Sequence, residues 1–271
     1  MSIRIAANLS FLFAEVPLAE RFGLASLYGF DSVEIQFPYD HNADELKSLA
    51  ERANVDVALI NIPAGDLLDG GEGLAAVPNR QVEFDEALQQ AVEFATTLGV
   101  QCVNVVPGRC LNAERATEYL ETYKRNLANA ADLLGERNIR CVFEAINTND
   151  MLGFLVHSHR QQKQIIAELQ HPNLFAQVDV YHISRDAGID KVLDSLLDML
   201  PITRHIQFAD APDRGEPGTG DIAFSPLLEA IRDSSFRGFV SAEYKPTKNT
   251  PMTLDWLPKF RQMLTNEQPD Q

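Results

Sequence analysis

Long apolar runs, basic residues and cysteines are all scarce in this chain of 271 residues. No segment approaches the roughly 18 consecutive apolar residues that a membrane helix needs. The opening segment, MSIRIAANLS, also lacks the charged start and the apolar stretch of a signal peptide. We therefore expect no membrane contact and a cytoplasmic location. Apolar residues still make up 45% of the chain, which suits an ordinary globular core.

The charge balance is strongly acidic, because 23 Lys and Arg residues face 39 Asp and Glu residues and give a formal net charge of −16. Such a charge repels the phosphate backbone of a nucleic acid. No basic patch offsets it: Lys124 and Arg125 share a predicted helix with Glu118 and Glu121. The composition therefore argues against a nucleic-acid partner.

The chain has only three cysteines, and none forms a CxxC pair. Cys102 and Cys141 fall inside predicted strands, while Cys110 follows Arg109 in a loop. An odd number of unpaired cysteines favours free thiols over a disulfide framework. A catalytic Cys110 is the less favoured alternative to an incidental thiol.

Strand-like and helix-like segments alternate along the whole chain. Between the strands, apolar residues recur at three- and four-residue steps, most clearly over 82–98 and 117–137. The apolar faces predicted for these two helices are Phe84, Leu88, Ala91, Val92 and Ala95 in the first and Leu120, Leu127, Ala131 and Leu134 in the second. Eight such units predict an α/β fold, a (β/α)₈ TIM barrel, formed as a single domain over residues 1–271. A doubly wound sheet is the alternative, but the first turn, NLSFLFAEVP, lacks the glycine-rich phosphate loop of that fold. The predicted strands are 3–9, 32–37, 56–62, 102–107, 140–146, 175–181, 204–209 and 238–244.

Four successive predicted strands end on a polar residue that could bind a metal. These residues are Glu144, Asp179, Gln207 and Glu243, near the ends of the fifth to eighth strands. The active sites of barrels lie at the C-terminal ends of neighbouring strands, so the four side chains should converge. Their oxygen atoms suit Mg²⁺ or Mn²⁺ better than Zn²⁺. The alternative is that each residue only bonds loop amides at its own strand end.

Further polar residues near these strand ends predict acid–base chemistry on a small anion. Glu144 and Glu243 should face each other and form the proton-transferring pair of an aldose–ketose isomerase acting through an enediolate. We expect His182 to contact a substrate oxygen, unless it is only a hydrogen-bonded residue at the strand end. Arg214 and Lys245 could hold an anionic substrate, although either could be an ordinary surface charge.

Several stretches at these positions are specific. They are FEAIN (143–147), QVDVYH (177–182), HIQFADAPDRGEPGTGDI (205–222) and AEYKP (242–246). Through them the chain resembles the hydroxypyruvate isomerase family of xylose-isomerase-like TIM barrels. The resemblance implies an isomerase of glyoxylate and carbohydrate metabolism that interconverts hydroxypyruvate, a small anionic 2-oxo acid, and 2-hydroxy-3-oxopropanoate (tartronate semialdehyde).

The resemblance also implies roles for individual residues. The catalytic glutamates of the family correspond to Glu144 and Glu243, and the histidine that contacts substrate in related sugar epimerases corresponds to His182. Those epimerases bind their metal through Glu, Asp, His and Glu, which here correspond to Glu144, Asp179, Gln207 and Glu243. The amide of Gln207 is a weaker ligand than histidine, so the resemblance implies a divalent metal, Mg²⁺ or Mn²⁺, that is weakly bound.

Other functions stay open on the sequence. A 2-oxo-tetronate isomerase would run the same chemistry on a four-carbon substrate, and the stretch EVPLAERF (15–22) is similar to that group. More distant alternatives are a sugar 3-epimerase, an endonuclease IV-like hydrolase and a non-catalytic metabolite-binding barrel. The hydrolase would need a histidine-rich zinc cluster and a basic DNA-binding face. Pairing through long loops at the top of the barrel would give a homo-oligomer.

Overall fold

Eight parallel strands pair in the order of the sequence, and the last pairs with the first to close a barrel. The computed structural model describes residues 3–265. The strands are β1 (Arg4–Asn8), β2 (Ser32–Ile35), β3 (Asp56–Asn61), β4 (Cys102–Asn104), β5 (Arg140–Glu144), β6 (Leu174–Asp179), β7 (Thr203–Phe208) and β8 (Phe239–Ala242). The prediction of a (β/α)₈ TIM barrel is confirmed.

Helices connect the strands and cover the outside of the barrel. They are α1 (Leu18–Leu27), α2 (Ala43–Ala53), α3 (Gln81–Leu98), α4 (Ala116–Gly135), α5 (His159–Leu169), α6 (Val180–Ala187), α7 (Val192–Met199), α8 (Phe224–Asp233) and α9 (Leu257–Thr265). None of the helices between residues 3 and 265 is long and apolar enough to cross a membrane.

The apolar faces predicted from periodicity are the faces that the helices bury. In α3 the whole predicted stripe is buried, because its members lie three or four residues apart and so share one side of the helix. In α4, Leu127, Ala131 and Leu134 are buried, while Leu120 is only half-buried near the start of the helix. The buried stripe of α3 comprises Phe84, Leu88, Ala91, Val92 and Ala95.

The strands end earlier than the apolar runs predicted, and these early ends bring side chains into the barrel mouth. The prediction of a strand to residue 181 was wrong, because β6 ends at Asp179 and α6 begins at Val180. The Asp179 carboxylate accepts a hydrogen bond from the backbone N–H of Tyr181 at 2.8 Å, which caps the helix. Strand β8 likewise ends at Ala242, so that Glu243 follows it directly.

The long loop after β7 is held by one buried carboxylate. Asp210 Oδ2 accepts hydrogen bonds from the backbone N–H groups of Gly218 and Gly220 at 2.8 and 2.9 Å. Its Oδ1 accepts from those of Ala211 and Ile222 at 2.9 and 3.0 Å. A Cβ on Gly220 would lie 2.0 Å from the Ala211 carbonyl oxygen, so only glycine allows this turn to close. The loop is therefore fixed where it crosses the top of the barrel.

Candidate active site

A cavity of about 420 Å³ opens at the C-terminal ends of the strands. One wall is apolar and includes Phe11, Phe37 and Leu67. Asp179 and Gln207 lie just outside the lining, with 2% of each residue exposed. A cavity of this size suits a small metabolite. The predicted site residues that line it are Glu144, His182, Arg214, Glu243 and Lys245.

Three buried carboxylates meet at this cavity around a single guanidinium. Arg214 donates to Glu243 Oε1 at 2.7 Å and to Asp179 Oδ2 at 3.4 Å. Glu144, at the end of β5, is also buried. Three carboxylates and one guanidinium leave two negative charges uncompensated when every group is ionised. Such a surplus is costly in a buried site.

Burial, and then the charges of neighbouring groups, shift the pKa values of these three carboxyl groups. Burial raises the pKa of Asp179 to about 6 and that of Glu243 to about 8, although the charge of Arg214 opposes both shifts. Burial, together with the charges of Glu243 and Asp179, raises the pKa of Glu144 well above its ordinary value. Two of the three carboxyl groups are therefore poised to hold and release protons near neutral pH.

Two glutamine side chains connect the two predicted catalytic glutamates beneath the cavity. Gln177 Nε2 donates to Glu144 Oε2 at 3.0 Å and to Gln207 Oε1 at 2.6 Å. Gln207 Nε2 donates in turn to Glu243 Oε2 and, at 2.7 Å, to Glu34 Oε1. We call Gln177 and Gln207 the amide bridge. It holds Oε2 of each catalytic glutamate, while Oε1 of Glu243 accepts from Arg214 and Oε1 of Glu144 lies 3.6 Å from His182 Nε2.

A deeper polar layer supports the amide bridge. His205 Nε2 lies 2.6 Å from Glu34 Oε2, and both side chains are fully buried. Asn8 Nδ2 donates to Glu34 Oε1 at 2.6 Å and to Glu243 Oε2 at 3.1 Å. Sequence analysis missed Asn8, Glu34 and Gln177. The signal was present, because each is a polar residue within one of the predicted strand segments.

His182 lies in the first turn of α6, at the wall of the cavity. Its Nε2 is 3.6 Å from Glu144 Oε1 and 3.7 Å from Asp179 Oδ2. Its Nδ1 is 2.7 Å from Nδ2 of Asn147. Burial, and then the nearby charge of Arg214, hold the pKa of His182 well below its usual range, so the ring is neutral at pH 7.

The donor chemistry fits a divalent cation. Glu144, Asp179 and His182 are buried and each offers one atom, all within 4.8 Å of one another, so they could hold a metal ion. The two uncompensated negative charges favour a cation at the same place. Gln207, the fourth predicted ligand, faces Glu243 with its Nε2, while its Oε1 accepts from Gln177. Binding a metal through Oε1 would require that hydrogen bond to break.

Lys245 follows β8 and lines the cavity on its exposed side. Within residues 3–265 its ammonium group forms no ion pair with a carboxylate, since the salt bridges of this region involve other cations. Arg214, by contrast, is engaged with two carboxylates and lies over the rings of Phe11 and Tyr181. Of the two predicted substrate-binding cations, Arg214 is thus already paired with carboxylates, whereas Lys245 is not paired with any carboxylate within residues 3–265.

Comparison with known proteins shows that this chain is similar to two kinds of isomerase. The sequence model of the xylose isomerase-like TIM barrel matches residues 22–260. Hydroxypyruvate isomerase of Escherichia coli is 35% identical over 259 residues, which cover 96% of this chain and 100% of that protein. The 2-oxo-tetronate isomerase of Haemophilus influenzae is 31% identical over 259 residues, covering 95% and 99%. The crystal structure of an AP endonuclease, family 2, from Brucella melitensis has a TM-score of 0.90 and 32% identity, covering 94% and 98%.

Proposed function

The chain belongs to the xylose isomerase-like TIM barrel family and, within it, to the hydroxypyruvate isomerases, and on that basis we propose that it interconverts hydroxypyruvate and 2-hydroxy-3-oxopropanoate. The observation that carries the proposal is the pair of buried glutamates, Glu144 and Glu243, which approach the cavity from β5 and β8 and are joined beneath it by the amide bridge.

The chemistry assigned to this pair is two proton transfers through an enediolate. One glutamate removes a proton from C3 of hydroxypyruvate, and the C3–H electron pair forms the C2–C3 double bond as the C2 carbonyl takes up the charge. The other glutamate delivers a proton to C2, while the C3 hydroxyl passes its proton to the C2 oxygen, so that C3 becomes the aldehyde carbon and C2 carries the new hydroxyl. The pKa of Glu243, raised to about 8, suits this exchange, because a group that accepts and returns a proton works best with a pKa near the operating pH; the pKa of Glu144 is raised in the same direction.

The remaining side chains bind and orient the substrate. Lys245 supplies the free positive charge for the substrate carboxylate, whereas Arg214 holds Glu243 and Asp179 in place. Glu144, Asp179 and Glu243 would hold a divalent cation, Mg²⁺ or Mn²⁺, with Gln207 Oε1 as a fourth ligand if its hydrogen bond from Gln177 broke. When bound there, the cation supplies Lewis-acid stabilisation of the enediolate.

The four-carbon reaction is the second candidate, because a 2-oxo-tetronate isomerase is 31% identical to this chain. The proton transfers are the same, and a cavity of about 420 Å³ leaves room for a fourth carbon. DNA cleavage, which the name of the Brucella structure suggests, is disfavoured by the net charge of −16. The metal-competent cluster within residues 3–265 also contains one histidine rather than several.

The proposal is tested with Glu144→Gln and Glu243→Gln, assayed with hydroxypyruvate and with four-carbon 2-oxo acids in the presence of Mg²⁺, Mn²⁺ or a chelator. Each variant should lose turnover by a factor of at least about 10³ and still bind substrate in calorimetry, because the amide keeps the shape of the carboxylate but cannot take a proton. Wild-type protein should exchange carbon-bound hydrogen of the substrate in D₂O. Near-normal turnover in both variants would refute the assignment.

The matched control is Glu72→Gln. Glu72 accepts hydrogen bonds from Tyr119 Oη and from the backbone N–H of Leu111, outside the lining of the cavity. The same chemical change there should leave turnover close to that of the wild type. A comparable loss in this variant would show that the effect comes from weakened folding and not from lost acid–base groups.

A further inference from the structure

We propose that Asn147 is a positioning residue that fixes His182 as the tautomer with its proton on Nε2, so that Nε2 donates a hydrogen bond to an oxygen of the bound substrate. The inference rests on the proposed function only for the identity of that substrate. The tautomer itself follows from hydrogen bonds among residues of this chain.

The orientation of the Asn147 amide is determined by its neighbours in the loop after β5. Its Oδ1 accepts from the backbone N–H of Asn149 and from that of Asp150, each at 3.0 Å. Backbone N–H groups can only donate, so the atom facing them must be the oxygen. The amide nitrogen therefore points the other way, toward Asp150 Oδ2 at 3.1 Å and His182 Nδ1 at 2.7 Å.

This orientation determines which ring nitrogen of His182 carries the proton. An amide NH₂ donates and does not accept, so Nδ1 of His182 must be the acceptor and must be bare. A neutral imidazole has one proton, which then resides on Nε2. The Asn147 side chain is buried with 1% of the residue exposed, so water does not compete for this contact.

The Nε2–H group is left free to bind a ligand. The nearest carboxylate oxygens, Glu144 Oε1 and Asp179 Oδ2, lie 3.6 and 3.7 Å away, which is beyond a normal hydrogen bond. His182 lines the cavity together with Glu144 and Glu243, so its Nε2–H faces a space that a ligand can enter. Ligation of a metal by Nε2 would require the proton to move to Nδ1, where it would oppose the NH₂ of Asn147. Nε2 of His182 is thus arranged as a hydrogen-bond donor, although its distances from Glu144 and Asp179 would also suit a metal ligand.

The tautomer can be measured directly on the substrate-free, metal-free protein. Labelling the six histidines with ¹⁵N and recording two-bond ¹H–¹⁵N correlations distinguishes protonated from bare ring nitrogens. The His182 signals are assigned by their loss in His182→Gln. We expect a bare Nδ1 and a protonated Nε2 in the wild type. A proton on Nδ1 in the wild type would overturn the proposal without bearing on the isomerase activity.

Asn147→Asp tests the causal role of the amide. A carboxylate in the same place accepts from Nδ1, so the His182 proton should move to Nδ1 and Nε2 should lose its ability to donate. Removing one donor to a developing oxyanion lowers kcat by about 10²–10³, and we expect a loss in this range with KM changed less than about threefold. Unchanged kcat in a variant whose tautomer has switched would refute the role in catalysis.

The matched control is Asn149→Asp, two residues away in the same loop. Its side chain is exposed and donates only to the carbonyl oxygen of Arg185 at 3.2 Å, and its backbone N–H still reaches Asn147. The control adds the same charge and should leave both the tautomer and kcat unchanged. If Asn147→Asp fails to fold, the wild-type spectrum still decides the tautomer. If wild-type protein shows the expected tautomer but isomerises neither substrate, the proposed function fails and the tautomer assignment stands.

Discussion

Replacing Gln177 with methionine should reveal how far the amide bridge determines the behaviour of the catalytic pair. Methionine is unbranched and close to glutamine in size, but it cannot donate a hydrogen bond. The variant therefore removes the contacts to Glu144 Oε2 at 3.0 Å and to Gln207 Oε1 at 2.6 Å with little change in packing. Both contacts are buried, so water cannot replace them.

The magnitude follows from the two acceptors that lose their donor. An unsatisfied buried acceptor costs about 1–3 kcal/mol, so the loss of the donor to both acceptors should lower the free energy of unfolding by roughly 2–6 kcal/mol. A donor to a carboxylate favours its ionised form, and its loss should raise the apparent pKa of Glu144 further. The acid limb of the pH profile of kcat/KM should then move to higher pH by about one unit, equivalent to about 1.4 kcal/mol.

The assay combines urea unfolding, followed by the fluorescence of the single Trp256, with pH–rate profiles. The matched control is Gln162→Met on α5, because Gln162 is equally buried and donates to the backbone carbonyl oxygens of Phe143 and Gln177 at 2.5 and 2.9 Å. It should lose similar stability without moving the acid limb. Wild-type stability and an unmoved acid limb in Gln177→Met would refute the reasoning.

Three further outcomes are expected. Lys245→Met should raise KM for hydroxypyruvate by about tenfold and leave kcat nearly unchanged in steady-state assays, because the lysine binds the carboxylate and not the reacting carbons. Asp210→Asn should lower the free energy of urea unfolding by about 2–3 kcal/mol and expose the loop after β7 to proteases, since an amide cannot accept the four backbone N–H bonds that the carboxylate accepts. Metal-free protein should lose stability as the pH rises from about 4 to about 8. Over that interval the unfolded chain releases protons that Asp179 (pKa about 6) and Glu243 (pKa about 8) still hold when folded. Thermal unfolding with and without Mn²⁺ should show a stabilisation that grows with pH, and a flat difference would contradict this account.

The barrel and its strand-end residues could be predicted from the sequence because both depend on local periodicity. Alternating βα patterns determine the order of the strands, and parallel strands in sequence order place the ends of β5 to β8 side by side. That reasoning brought Glu144 and Glu243 to one cavity. The exact residues at which the strands end were harder to predict. Asp179, for example, ends β6 because it caps α6, and that depends on the course of the chain after the strand.

The contacts beneath the cavity could not be predicted in the same way. The Arg214 guanidinium bonds Asp179 and Glu243, which lie 35 and 29 residues away, and the sequence does not show which way its loop directs it. Glu34 and His205 are 171 residues apart and meet only when the barrel closes. A prediction based on apolar patterns assigns inward-facing positions such as these to an apolar core.

The amide at position 207 can do at the base of the cavity what an imidazole could not. Its nitrogen carries two protons and donates to Glu34 and Glu243 together, while its oxygen accepts from Gln177. A neutral imidazole carries a single N–H proton and could therefore donate to only one of those two carboxylates. Gln207 therefore has a structural role of its own at the base of the cavity. Together with Gln177 it connects Glu243 to Glu144 through uncharged side chains, so that the two glutamates are positioned by the chain itself as well as by any cation that binds above them.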